Sequence, residues 1–406
     1  MQKDKISMKK SILLVLAAII VVILVGGQIF FTTNHLEYGS VYITSLKTLA
    51  LREDFVGVRT SQGIEEGLYT LKETGVSTQP IMDAAEDFLA SLDTKQRERT
   101  IFPIDDIAWR NWSNFDAGYD VRNGVGLREM SDEQKEKAFS LMQASLSAEG
   151  YEQVRNIMKT DHTLKEYNNG IEALGEDLYY FNIFGEPSQT DPWGWQVEGH
   201  HLALHFFILG DQLVFSPVLL GAEPAIADFG KYEGNTVLQD EQNLGLTLMQ
   251  SLPAEQQLQA LTDQKHRDDL VAGAFADNLV LDYEGVKVSE MSPENKELLI
   301  NLIGQYIGHL RDGHAEVTME EILEHIDDTW FSWKGEYGVE PVFYYRIHSP
   351  VILIEFDHQG PIRLVLPDVD VNLPIRNHIH TMLRTPNGND YGKDLLRQHL
   401  ELHHSE

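Results

Sequence analysis

Apolar residues recur along the chain at two different spacings, one helical and one strand-like. Ala84, Ala85, Phe88, Leu89 and Leu92 stand three and four apart, which predicts helical structure through residues 38–101, with a helix start at Asp93 boxed by Gln96. Ser131 and Gln134 make a second box ahead of Ala138, Phe139, Leu141 and Met142. Helical spacing returns over residues 243–262 and 293–310, where Ser292 and Pro293 supply a cap and a first turn, and again after Thr318 with Glu321 as its partner. Between these lie residues 178–184, 193–208 and 213–215, whose aromatic, β-branched and leucine content fits a pleated surface. The turn residues Gly185-Glu186-Pro187 and Gly210-Asp211 separate them into an antiparallel meander. Residues 342–348, 351–357 and 377–383 read as three further strands, and a last helix runs over residues 390–404.

A short phrase ending in Ser-Leu occurs at 88–92, 141–146 and 248–252, each time just before a polar helix start. Its spacing is too irregular for a solenoid, so it predicts three similar helix-turn-helix corners. No stretch rich in Pro, Gly or Ser divides the chain, and helices and strands interleave without regular alternation. This predicts an α+β fold, a mixed or mainly antiparallel sheet flanked by helices, in a single domain over 33–406.

The first 32 residues stand apart. Lys3, Lys5, Lys9 and Lys10 precede an apolar run from Ile12 to Val25 that extends to Phe31, the pattern of a signal peptide or signal anchor. Without an Ala-x-Ala site the uncleaved anchor is the favoured reading, and the positive-inside rule then places everything after Thr32 outside the cytoplasm, touching the membrane through this helix only.

Composition narrows the function classes. With 406 residues, 42% of them hydrophobic, the chain can bury a large core. Its 32 basic residues against 63 acidic ones give a net charge of -31, whose field repels phosphate backbones, so nucleic acid is excluded as a partner. Cysteine is absent, so any metal must be held by His, Asp or Glu.

The densest chemistry lies in Trp193-Gly-Trp-Gln-Val-Glu198-Gly-His200-His201-Leu-Ala-Leu-His205-Phe-Phe-Ile208. Read as one strand, it puts Glu198 and His200 on one face and His201 and His205 on the other. His378-x-His380 repeats the same-face logic, with side chains about 7 Å apart along a strand, close enough for both to reach one cation. Glu198, His200, His378 and His380 are therefore candidate metal ligands. His201 joins that set or, like His205, supports it or is a hydrogen-bonded core histidine. Zinc is the first choice of divalent metal, with copper or iron as alternatives. Glu355, in an otherwise apolar strand, is a candidate ligand or general base, because a lone buried carboxylate is costly. Arg384 is a candidate anion clamp and Asp390 a candidate orienter of a ligand histidine. His399 and His403 stand i, i+4 but lack the glutamate of the metalloprotease pattern, and Gly221-Ala222-Glu223-Pro224 reads as a loop. No nucleophile elbow, phosphate-binding loop or dinucleotide fingerprint is present.

Taken together, Trp193 to His201, Tyr345-Arg346-Ile347-His348, Glu355-Phe356-Asp357, His378-Ile379-His380, Asp390-Tyr391-Gly392 and Asp394-Leu395-Leu396 resemble the family catalogued as domain of unknown function 3500. The resemblance covers most of the chain after the apolar segment. It implies a single domain and carries no activity or residue role.

Two functions are expected. The first is an exported, membrane-tethered, metal-dependent enzyme, hydrolytic ahead of redox, acting on a small-molecule, glycan or peptide ligand. The second is a non-catalytic cell-surface protein that stacks a glycan or peptide on Trp109, Trp112, Trp193 and Trp195.

Overall fold

The computed structural model describes residues 35–264, 270–364 and 370–403. The expected signal segment at 1–32 lies outside the described residues, and among the described ones no helix is long and apolar enough to cross a membrane. The helices are α1 (His35–Ala50), α2 (Gln79–Ser91), α3 (Thr94–Thr100), α4 (Asp132–Ser145), α5 (Ala148–Tyr167), α6 (Gln239–Ser251), α7 (Ala254–Ala260), α8 (Pro293–Ile307), α9 (His314–Glu324) and α10 (Lys393–His403). The strands are β1 (Ile101–Phe102), β2 (Val125–Gly126), β3 (Tyr179–Phe184), β4 (Trp193–Gly199), β5 (Leu202–Leu209) and β6 (Gln212–Ala222), then β7 (Leu261–Asp263), β8 (Val286–Lys287), β9 (Trp330–Gly335), β10 (Phe343–His348), β11 (Leu353–His358) and β12 (Ile379–Arg384).

All twelve strands join one mixed sheet in the order β1-β3-β4-β5-β6-β12-β11-β10-β9-β7, with β2 beside β3 and β8 beside β9. Only β1 with β3 and β7 with β9 pair in parallel. This is the α+β class, a mainly antiparallel sheet with flanking helices.

The chain folds one run of elements twice. α2, α3, β1, β2, α4, α5 and β3 to β6 are matched in order by α6, α7, β7, β8, α8, α9 and β9 to β12. Register agrees with element order: Asn182 faces Gln196, which faces His205, and 150 residues later Ser332 faces Arg346, which faces Glu355. The two halves meet where β6 pairs with β12, Val218 opposite Leu383. Gly124 and Gly285 show how closely they match. Each has a positive φ, 81° and 94°, and an added Cβ would lie 2.2 Å from the Phe181 carbonyl oxygen in one half and 2.0 Å from that of Phe331 in the other. Glu129-Met130-Ser131 and Glu290-Met291-Ser292 precede α4 and α8 in the same way. The corners at Ser91-Leu92 and Ser251-Leu252 are equivalent in this repeat, whereas the one at Ser145-Leu146 occupies a different place.

Alternation along the strands sorts side chains to two faces. Phe181, Ile183, Trp195, Val197, Leu204 and Phe206 turn toward the helices, where they share a continuous core with Phe88, Leu141, Ile157 and Leu302. On the other face, residues 103–124 and 270–285 lie over the sheet, with Trp109 stacked on Phe184 at 3.8 Å.

Three local expectations need correction. Residues 193–208 are not one strand but a β4–β5 hairpin whose two turn residues are His200 and His201. His201 adopts φ 60°, and because the turn has no Asn-Gly or Asp-Gly pair, apolar alternation runs on through it in the sequence. Residues 51–78 are not helical. Positive-φ Gly57, Gly63, Gly67 and Gly75 punctuate them, and Gly57 sits against the Gly388 backbone. Helix α9 begins at His314, not after Thr318, because Gly313 with φ 86° sets the bend that starts it. The capping boxes at Asp93 and Ser131 are both formed.

Candidate metal centre

Three imidazoles converge at the seam between the halves. His201 comes from the β4–β5 turn, His378 from the residue before β12, and His380 from β12 itself. His378 Nε2 stands 3.3 Å from His201 Nε2 and 3.2 Å from His380 Nε2. One ligand atom from each lies within 4.8 Å of the others, and among the described residues the group contains no carboxylate. All three are buried, with exposures of 3%, 0% and 5%.

Backbone geometry creates the convergence. The left-handed φ of His201 is rare outside glycine, though His, Asn and Asp adopt it more readily than most. The Gly221 N–H donates to the His201 carbonyl at 2.8 Å, tying the turn to β6. Gly221 faces His380 across the β6–β12 ladder. A Cβ at Gly221 would lie 2.6 Å from His380 Cδ2 and 3.2 Å from His201 Cδ2, so only glycine leaves room for both rings.

For His201 and His380 the electrostatics favour the neutral ring. Burial, then neighbouring imidazoles, holds His201 and His380 well below the usual histidine range. His378 Nδ1 lies 2.7 Å from the Gly360 carbonyl, which fixes the proton on Nδ1 and leaves the Nε2 lone pair pointing at the other two. Glu223 steadies that loop by accepting from the backbone N–H groups of Ile362 at 2.7 Å, Arg363 at 3.0 Å and Leu364 at 2.9 Å. Its carboxylate is 3.9 Å from His378 Nδ1.

His200 is adjacent but differently engaged. Its ring stacks on His201 at 3.8 Å and its Nδ1 meets Asp161 Oδ1 at 2.6 Å. Burial pulls its pKa down, yet the Asp161 carboxylate and the more distant Asp116 and Glu223 outweigh it and raise the net value. Asp161 also accepts from the Gly175 N–H at 2.7 Å, and Tyr179 donates to the His200 carbonyl at 3.1 Å.

The other sequence candidates do not join the triad. Glu198 lies under residues 113–122, its Oε2 3.4 Å from both the Ser113 N–H nitrogen and Arg122 Nε, and burial pushes its carboxyl up to about 7. Glu355 accepts from Ala272 N–H at 2.7 Å, Val271 N–H at 3.3 Å and the Tyr344 hydroxyl. Arg384 is buried between Asp277 at 3.0 Å and Asp390 at 2.8 Å and donates to the Ala272 and Gly273 carbonyls. Asp390 accepts from Ser216 and the Thr385 N–H, not from a ligand histidine. His205 Nδ1 meets the Pro217 carbonyl at 2.7 Å. His399 and His403 stand together on α10, ring centres 4.8 Å apart. Trp109, Trp112, Trp193 and Trp195 are all fully buried, so they form core rather than a stacking platform.

Sequence reading passed over Gly221 and Glu223 as loop residues and did not single out Asp161. It also used Asp357 only as part of a phrase, although Asp357 stands opposite His380 in the β11–β12 ladder, fully buried, and accepts from Gln359. Alternation within a strand pairs His378 with His380, but nothing in the sequence marks which distant strand is their neighbour.

No curated protein and no solved structure matches this chain. The model of one family, described as Protein of unknown function (DUF3500), matches residues 74–393, a span that contains both halves of the sheet and all three converging histidines. The chain belongs to the DUF3500 family.

Proposed function

We propose that the chain is a metal-dependent hydrolase whose divalent ion, zinc before copper or iron, is held by Nε2 of His201, His378 and His380. The observation that carries this reading is the spacing of His378 Nε2 from the other two nitrogens. Two ligands bound to zinc at ~2.0–2.1 Å in a tetrahedron lie about 3.3 Å apart; His378 Nε2 stands 3.3 Å from His201 Nε2 and 3.2 Å from His380 Nε2, and the three ligand atoms all lie within 4.8 Å of one another. Buried neutral imidazoles, one with its Nδ1 anchored to a carbonyl, are the donor set that zinc takes in catalytic sites, with a fourth position left for water. An all-histidine set favours this over the two-histidine, one-carboxylate pattern of non-haem iron. Bound there, the ion supplies Lewis acidity and lowers the pKa of a water to about 7. His200, held by Asp161 against His201, is an adjacent group able to carry a proton. The lysine-flanked apolar run before Thr32 supports action outside the cytoplasm, tethered to the membrane.

Elemental analysis of the fragment beginning at Thr33, purified without a nickel step, tests the reading beside a His378→Ala/His380→Ala variant. Near-stoichiometric metal in the wild type and none in the folded variant is expected. A folded wild type that holds no metal after incubation with zinc, copper and iron salts overturns the assignment.

A further inference from the structure

A second polar site lies on the same sheet face, beneath residues 109–122. Asn182, Gln196 and His205 are cross-strand neighbours on β3, β4 and β5, with exposures of 1%, 0% and 0%. Neither amide atom of Asn182 or of Gln196 has a hydrogen-bond partner among the described residues, and neither does His205 Nε2. Glu198, the next residue on that face of β4, has an unpartnered Oε1, and Arg122 above it has an unpartnered Nη1. Trp112 and Trp109 stand beside His205, ring centres 5.4 and 6.3 Å away, and close the outer side.

So many unmet donors and acceptors in one enclosed place would consume a stability margin comparable with that of a whole domain. The repeat provides an internal comparison. At the equivalent positions of the second half stand Ser332, Arg346 and Glu355. There, Glu355 is filled by Val271, Ala272 and Tyr344, and Arg346 reaches Glu284 at 2.7 Å, leaving Arg346 Nε over, with His348 Nδ1 at the place equivalent to Glu198. The second half satisfies most of these positions with its own side chains, and the first leaves both amides, His205 Nε2, Glu198 Oε1 and Arg122 Nη1 unmet.

The lining also indicates what fills it. His205 Nδ1 faces a carbonyl and so carries the proton, which leaves Nε2 as an acceptor. The two amides each offer both roles, Arg122 only donates and Glu198 accepts. A small guest able to donate and accept in several directions satisfies all of them. We infer that Asn182, Gln196, His205, Glu198 and Arg122 enclose a fixed cluster of ordered water. Buried waters typically make about three hydrogen bonds each to groups otherwise unmet. The Glu198 end lies two residues from the His200-His201 turn, so the cluster stands next to the histidine centre. Its role as the store of reactant water rests on the hydrolytic reading, while the hydration itself does not.

The test uses metal-free protein, so its outcome is separate from that of the metal assignment. A crystal structure at atomic resolution is expected to show discrete water peaks bridging the Asn182 and Gln196 amides and His205 Nε2. Direct amide-to-amide bonds without solvent peaks, or one connected non-water solute, overturn the inference. The Asn182→Leu/Gln196→Leu variant gives a second reading through thermal unfolding. Removing two groups that water satisfies leaves the waters short of partners, so Tm is expected to fall by roughly 2–5 °C. An unchanged or higher Tm shows that the amides were unmet and overturns it equally.

Discussion

Gly221 is the residue whose replacement separates the histidine centre from the fold. Its missing side chain is the space in which His380 and His201 approach each other, and a methyl group there would press on His380 Cδ2 at 2.6 Å. The same Cβ would lie 2.9 Å from the Ile379 carbonyl oxygen of β12, so Gly221→Ala is expected to shift the rings together with a local widening of the β6–β12 ladder. Metal affinity should fall ~10–100-fold, the scale at which displaced supporting groups act, with the far-ultraviolet circular dichroism unchanged. Competition with a chromophoric chelator measures it. This residue also shows where sequence reading stops. His378-x-His380 is legible because strand alternation alone puts the two on one face. Gly221 is not, since a glycine followed by alanine, glutamate and proline has the composition of a loop, and only the β6–β12 register makes its lack of a side chain matter.

At the level of elements, the covering segments are positioned by buried charge. Arg384 on β12 reaches Asp277 in residues 270–285 and Asp390 ahead of α10, while Arg110 in residues 103–124 reaches the same Asp277 at 2.7 Å. Asp277 is held below the usual carboxylate range because these two guanidiniums outweigh the effect of burial. Both segments are thus fastened to the sheet through one cluster. Arg384→Ala leaves Asp390 buried without its cation, and the expected loss is about 3–5 kcal/mol in urea unfolding. Arg384→Lys should recover only part of it, since an ammonium cannot reproduce the fork that also donates to Ala272 and Gly273. In the sequence these residues look like a ligand clamp beside a turn. Their partners lie 107 residues away in the case of Asp277, a separation that no local pattern reveals. The helix starts at Asp93 and Ser131 were legible because capping is local chemistry within four residues.

For the molecule as a whole, the twofold repeat organises what the sequence presented as an unbroken α+β chain. The repeat is visible in Glu-Met-Ser and in the two equivalent Ser-Leu corners, but strand sequences that share only a pleat and a core face obscure it. The halves also differ in their burial of charge. Glu241 at the start of α6 is buried 3.8 Å from His309, and burial pushes the carboxyl up to about 7 and the imidazole down to about 4. For Glu241 the folded state binds the proton more tightly than the unfolded chain. Its contribution to stability is therefore complete below the unfolded carboxyl pKa of about 4.3 and is lost as pH rises through about 7. Glu241→Gln should leave the Tm unchanged at pH 4 and raise it at pH 8, with a gain on the order of 3–4 kcal/mol. Equal shifts at both pH values would show that the carboxyl stays ionised.

The seam position of the three histidines reaches beyond chemistry. His201 belongs to the first copy of the repeat and His378 to the second, 177 residues further along. An ion bound by both would close a chain loop of that length and act as a clasp across β6 with β12, the ladder that joins the two halves of the sheet among the described strands. The ion would then add to the cohesion of two halves that fold without it, and heating a metal-stripped chain would open the seam before either half.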